Sequence, residues 1–209
     1  MELELLRVDG KATGKKVVLD DAVFGIEPND HAIYLDVKQY LAAQRQGTSK
    51  TKDRSEVAYS TKKVIRQKGS GGARHGSIKS NIYVGGGRAH GPRPRNYDFK
   101  LNKKVKQLAR FSALSYKVKE NALAVVEPFT MEAPKTKEFL TMVHNLRVNE
   151  RRILFIVPEK SDNLVLSSRN LKNIKVITPN NINTYEIMKA YSVVLVDGVQ
   201  DSFKTEYKR

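Results

Sequence analysis

Residues 66–80 read RQKGSGGARHGSIKS: four cations, four glycines, no acid, and one sizeable apolar side chain, Ile78. Cations spaced along a glycine-rich chain neutralise phosphates while letting the backbone approach closely. The surroundings extend this chemistry. From Gln44 to Arg110 there are 18 lysines and arginines, and the only acids are Asp53, Glu56 and Asp98. That stretch holds nearly all of the net charge of +16, and the flanks together come close to neutral. A charge so large and so localised calls for a polyanionic partner, nucleic acid or an acidic membrane surface. Tyr59, Tyr83, Tyr97 and Phe99 lie among the cations, where aromatic faces can stack on unpaired bases. Tyr97 and Phe99 equally suit anchors for the stem of the segment.

Other chemistries fare less well. Gly71 and Gly76 have the spacing of a phosphate-binding loop, but Ser77 stands where its lysine is required. Gly85 and Gly87 begin a dinucleotide fingerprint that His90 breaks, and neither cluster joins a clear strand to a clear helix. His31, His75, His90 and His144 have no metal-ligand spacing. With no cysteine in the chain, disulfides and thiolate metal sites are excluded. Glu127, Glu159 and Asp197 follow apolar runs, where α/β enzymes place catalytic groups. Each is single, with no nucleophile–base pair beside it. The expectation is no enzyme, no cofactor and no metal. An α/β nucleic-acid-processing enzyme, using the basic segment as a substrate clamp, is the alternative.

These residues need a frame to position them. Asn29 or Asp30 can cap a helix running to about Arg45, with Ile33, Val37, Tyr40 and Leu41 on one face. Leu101, Val105, Leu108, Ser112 and Tyr116 mark a second helix, with Lys103, Lys104 and Lys106 mainly on its outer side. Lys16–Leu19 is a short edge-strand candidate. Apolar runs at 122–126, 153–157, 175–177 and 193–196 then alternate with helical segments. These begin at Pro134, which suits a first helical turn, near Asp162, and at Asn183, whose spacing to Glu186 suits a capping box. Such alternation indicates buried parallel strands. The fold class is α/β, a three-layer body with a mainly parallel sheet, plus a long extended basic loop. The body takes residues 1–46 and 100–209, and the loop residues 47–99.

The loop shows neither helical nor strand periodicity over most of its length and contains nine glycines. Structureless loops longer than about 15 residues are functional or disordered. Its scattered apolar residues do not offset the entropy of ordering it, so a partner is expected to order the tip. Extended as a hairpin it reaches up to about 90 Å, against about 40 Å for the width of the body. The start, MELELLRVDG, lacks the basic region and apolar stretch of a secretory signal. No apolar run approaches the roughly 20 residues that span a bilayer. No membrane association and a cytoplasmic location are expected.

RQGTSKTKDRSEV, KKVIRQKGSGGARHGSIKS and GGGRAHGPRPRNYDFKLNKK, with the later VVEPFTMEAPKTKEF and SSRNLKNIKV, resemble the bacterial form of the universal large-subunit ribosomal protein four family. The match runs in order over nearly the whole chain. Val64 and Ile65 stand where the family often has proline and an aromatic, and Gly72 replaces an arginine. The resemblance implies a structural constituent of the large ribosomal subunit, with its body on the subunit's outside. It implies a loop threading into large-subunit rRNA, supporting early assembly and lining the nascent-peptide exit tunnel. Arg66, Gln67 and Lys68 match the tunnel-side tip, and Gly69, Gly71, Arg74, Gly76, Ser77 and Lys79 the rRNA-packed segment. Arg45, Lys50, Lys52, Arg54, Lys62, Lys63, Arg88, Arg93, Arg95, Lys103 and Lys104 are expected to join them in contacting rRNA. Implied partners are rRNA, other large-subunit proteins near the tunnel and the nascent peptide, with no obligate homo-oligomer. Repression of its own operon through messenger RNA stays open.

Overall fold

The computed structural model describes residues 1–146, 148 and 151–207. The chain divides into two compact units, residues 1–41 with 100–209, and residues 42–99.

The first unit opens with a hairpin, β1 (Glu2–Leu6) and β2 (Ala12–Val18). The sequence reading found only the end of β2, because β1 alternates acids with leucines over five residues and has no flanking strand signal. Gly10 sits in the hairpin turn at φ 74°, and a Cβ there would meet the carbonyl oxygen of Asn145 at 1.8 Å. Only glycine satisfies both demands. A short α1 (Asp21–Phe24) and α2 (Asp30–Ala43) follow. Asn29 accepts the Ala32 N–H at 2.9 Å, as a helix cap requires.

The chain re-enters this unit at α3 (Lys103–Lys119). Asn121, at φ 54°, ends that helix in the left-handed conformation that asparagine tolerates. Then come β3 (Leu123–Val126), α4 (Thr136–Asn145), β4 (Ile153–Ile156), α5 (Asp162–Ser168) and β5 (Ile174–Ile177). The chain finishes with α6 (Thr184–Lys189), β6 (Ser192–Val196) and α7 (Val199–Tyr207). Two local expectations need correction. Pro134 lies before α4, whose N-cap is Lys135, so it stops the preceding chain and does not form the first turn. Asn183 accepts the Glu186 N–H at 2.8 Å, but the Glu186 carboxylate binds Lys175 and does not reach back, so the capping box is half made.

The six strands form one sheet in the order β2-β1-β3-β6-β4-β5, with β2 antiparallel and the rest parallel. β4 and β6 are buried along their whole length, as expected for strands covered on both faces. The steps β3 to β4 and β4 to β5 run one way, and β5 to β6 reverses. Right-handed connections therefore put α4 and α5 on one face and α6 on the other. Packing agrees: α4 lies against α5, α6 against α3, and α1 against both α3 and α7. Phe139 on α4 meets Phe155 on β4 at 5.4 Å, and Phe24 meets Phe203 edge-on at 6.0 Å. The three-layer α/β expectation holds. The buried Asp36 accepts a hydrogen bond from buried Thr184 at 2.5 Å, tying α2 to the start of α6. Among the described residues, no helix is long and apolar enough to cross a membrane.

Candidate nucleic-acid interface

The second unit has no helix or strand after the last turn of α2, and only one isolated bridge, Lys63 with Ser77. Hydrogen bonds between its outgoing and returning halves nevertheless organise it. Arg95 N–H donates to Gly47 O, Thr51 N–H to Pro92 O, and Arg88 N–H to Lys52 O. Further out, Ser77 Oγ donates to Ser60 O at 2.8 Å and Val64 N–H to Gly76 O at 3.0 Å. The outermost turn therefore runs from Val64 to Gly76, and residues 79–87 close a side loop through Gly87 N–H and Lys79 O.

At the base, two guanidinium groups lie by the Tyr97 ring, Arg45 at 3.6 Å and Arg95 at 4.5 Å from the ring centroid. A hydrogen bond from Arg95, aided by the charges of Arg95 and Arg45, holds the Tyr97 phenol below the ordinary tyrosine value. Gly47 lies in the left-handed region at φ 65°, and a Cβ would strike Arg95 O at 2.0 Å. The base of the segment thus closes on itself.

Two of the expected RNA contacts are already engaged. Lys50 pairs with Glu56 at 2.6 Å, and Arg93 with Asp53 at 2.6 Å. Glu56 also accepts the Asp53 N–H at 3.2 Å, and the Lys50 hydrogen bond holds its carboxyl below the usual range. So the only acids between residues 44 and 97 brace the segment. The sequence reading counted them as charge and missed this role, although a D-x-x-E turn is a recognisable local signal.

The expected tip residues Arg66, Gln67 and Lys68 lie in the outermost turn, all exposed, as is Arg74. Gln67 accepts a hydrogen bond from Lys63. Gly69 and Gly71 have left-handed backbones, and nothing lies within 4 Å of a Cβ placed on Gly69, Gly71, Gly72 or Gly76. The other glycines differ. A Cβ would meet Ser80 O at 1.9 Å from Gly86, Arg54 N at 2.4 Å from Gly87, and Thr51 Oγ1 at 1.8 Å from Gly91. At these three positions the glycine is required by the chain's own packing. Ser77 likewise is buried and bonded internally. Lys52, Arg54, Lys62, Lys79 and Arg88 stand along the two halves.

Lys103 and Lys104 belong to the first unit, in the first turn of α3. That turn holds no acid, and its N-cap Asn102 makes no side-chain capping bond. Cations there oppose the helix dipole, so helix stability does not account for them. At the carboxyl edge of the sheet, Glu127 and Asp197 terminate neighbouring strands, since Asp197 N–H donates to Val126 O. Asp197 is used in its own turn, accepting from Gln200 Nε2 at 2.7 Å and from Gly198 N–H at 3.0 Å. Among the described residues no group of three or more histidines, acids or cysteines is placed to hold a metal.

A doubly covered, mainly parallel sheet and one irregular, strongly cationic segment make up an α/β protein whose class the fold alone sets no more finely. Comparison with known proteins is more specific. The chain belongs to the ribosomal protein L4/L1 family, whose pattern matches residues 17–205. It is 60% identical over 208 residues to the large ribosomal subunit protein uL4 of Parabacteroides distasonis, covering 98% of this chain and 100% of the relative. The proteins of the same name from Cytophaga hutchinsonii and Porphyromonas gingivalis are each 58% identical, covering 95% and 94% of this chain and the same shares of the relatives.

Proposed function

We propose that this chain is a structural, non-enzymatic constituent of the large ribosomal subunit in the cytoplasm. In this reading residues 47–99, with Lys103 and Lys104, bind large-subunit rRNA and brace it during assembly. Arg66, Gln67 and Lys68 face the exit tunnel, where the nascent peptide passes and other large-subunit proteins adjoin. One observation carries the reading: the exposed turn from Val64 to Gly76 joins cations that have no acidic partner among the described residues to glycines with empty space around them. Such a surface suits a phosphate backbone that neutralises the charge and fills the space.

The test is sedimentation of a lysate through sucrose gradients at low and high salt, probing for this chain. Co-migration with the large subunit in both is expected, because a threaded segment resists salt better than a surface ion pair. Migration at the top of both gradients overturns the proposal.

A further inference from the structure

Residues 85–88, at the end of the side loop, and the outgoing half at residues 52–59 flank an open concavity of about 450 Å³. Its walls combine three kinds of group. Tyr59, half exposed at 49%, offers an aromatic ring. Val57 and Ala58 add apolar surface, and Lys52 and Arg88 bring cations with no acidic partner among the described residues. Gly85, at φ 82°, forms the remaining side, and a Cβ there would meet the Tyr59 hydroxyl oxygen at 3.1 Å.

We infer that this concavity receives one unpaired nucleobase of the bound RNA, stacked on Tyr59, with its flanking phosphates on Lys52 and Arg88. The inference rests on the RNA-binding reading above and adds a specific subsite to it. A cation pair alone would suit any phosphate, and an aromatic alone any apolar group. The two together, around a space larger than a single base, match a nucleotide turned out of its stack. The missing side chain at Gly85 keeps the ring edge open. Arg88 N–H donating to Lys52 O holds the two cations on adjacent backbones, so the subsite is formed before RNA arrives.

The chain has no tryptophan, so Tyr59→Trp installs a single reporter. Its emission is expected to be quenched when the full-length protein binds deproteinised large-subunit rRNA at moderate salt. Tyr59→Leu is expected to weaken binding about five- to hundredfold, the range for loss of one stacked base. Tyr59→Phe keeps the affinity, and neither variant changes the salt slope, since no charge is lost. Unchanged tryptophan emission in a complex that has formed overturns the subsite and leaves the RNA-binding reading intact. So does a Tyr59→Leu protein that binds as tightly as the parent, or one whose salt slope falls. Failure of the parent protein to bind the rRNA overturns the RNA-binding reading itself.

Discussion

The Arg45 guanidinium lies 3.6 Å from the centre of the Tyr97 ring, across the base of a segment whose two ends are about 50 residues apart in the chain. Arg95 takes a second position at 4.5 Å from the same ring. Away from the core such contacts are individually weak. Tyr97→Leu is therefore expected to loosen the base without unfolding the sheet. Hydrogen exchange should quicken at residues 45–51 and 92–97, with Tm of the whole chain almost unchanged.

The same site has a pH signature. The Tyr97 phenol is depressed below its ordinary value of 10.0, first by its hydrogen bond to Arg95. A depressed acid contributes stability that is present above the unfolded value and lost as pH falls through the folded value. The base should therefore tighten as pH rises toward about 10. Absorbance titration near 295 nm should show one early-ionising tyrosine, displaced upward in Arg95→Ala.

Two glycine substitutions should separate internal packing from partner contact. Gly47→Ala places a Cβ at 2.0 Å from a backbone oxygen with φ at 65°, and should destabilise the base by about 1–3 kcal/mol. Gly72→Ala meets nothing within 4 Å and has no left-handed backbone. Proteolysis of the free protein should detect the first change and miss the second. A rRNA-binding defect in Gly72→Ala would then report on the partner alone.

Salt dependence should rank the cations. Replacing Arg66, Lys68 and Arg74 by alanine removes from the outermost turn three charges with no acidic partner among the described residues. The slope of log K against log salt should shrink by roughly 2–3. Replacing Lys50 and Arg93 should shrink it less per residue, because Glu56 and Asp53 already oppose them. Filter binding over a salt series gives both slopes.

In the body, Thr184→Val leaves the buried Asp36 carboxylate without its partner. The expected cost is about 1–3 kcal/mol, read from the midpoint of urea unfolding at unchanged m.

The runs LAVV, ILFI and VVLV announced buried parallel strands because each is apolar along its whole length, which only a doubly covered strand requires. β1 was not legible: ELELL carries the alternation of a half-buried strand, too short to distinguish from a turn of helix. The strand order was equally hidden, since insertion of β6 between β3 and β4 depends on contacts made by the whole chain. For the candidate interface, the residue types were readable from charge and glycine content alone. The roles were not. Lys50 and Lys68 look alike in sequence, and only the fold sets Glu56 against one and leaves the other open. Gly72 and Gly87 are likewise indistinguishable until the returning half of the segment is placed beside Arg54.

The hydrogen bond from Arg95 to Gly47 has a consequence for how such a chain is built and altered. Because the segment's two ends leave side by side, everything between them is topologically a cassette. Its closure cost grows only with the logarithm of its length, so doubling it adds roughly 0.6 kcal/mol. Lengthening, shortening or excising the stretch between Gly47 and Arg95 makes little demand on the sheet. Innovation at the far turn is thereby insulated from the architecture that carries it.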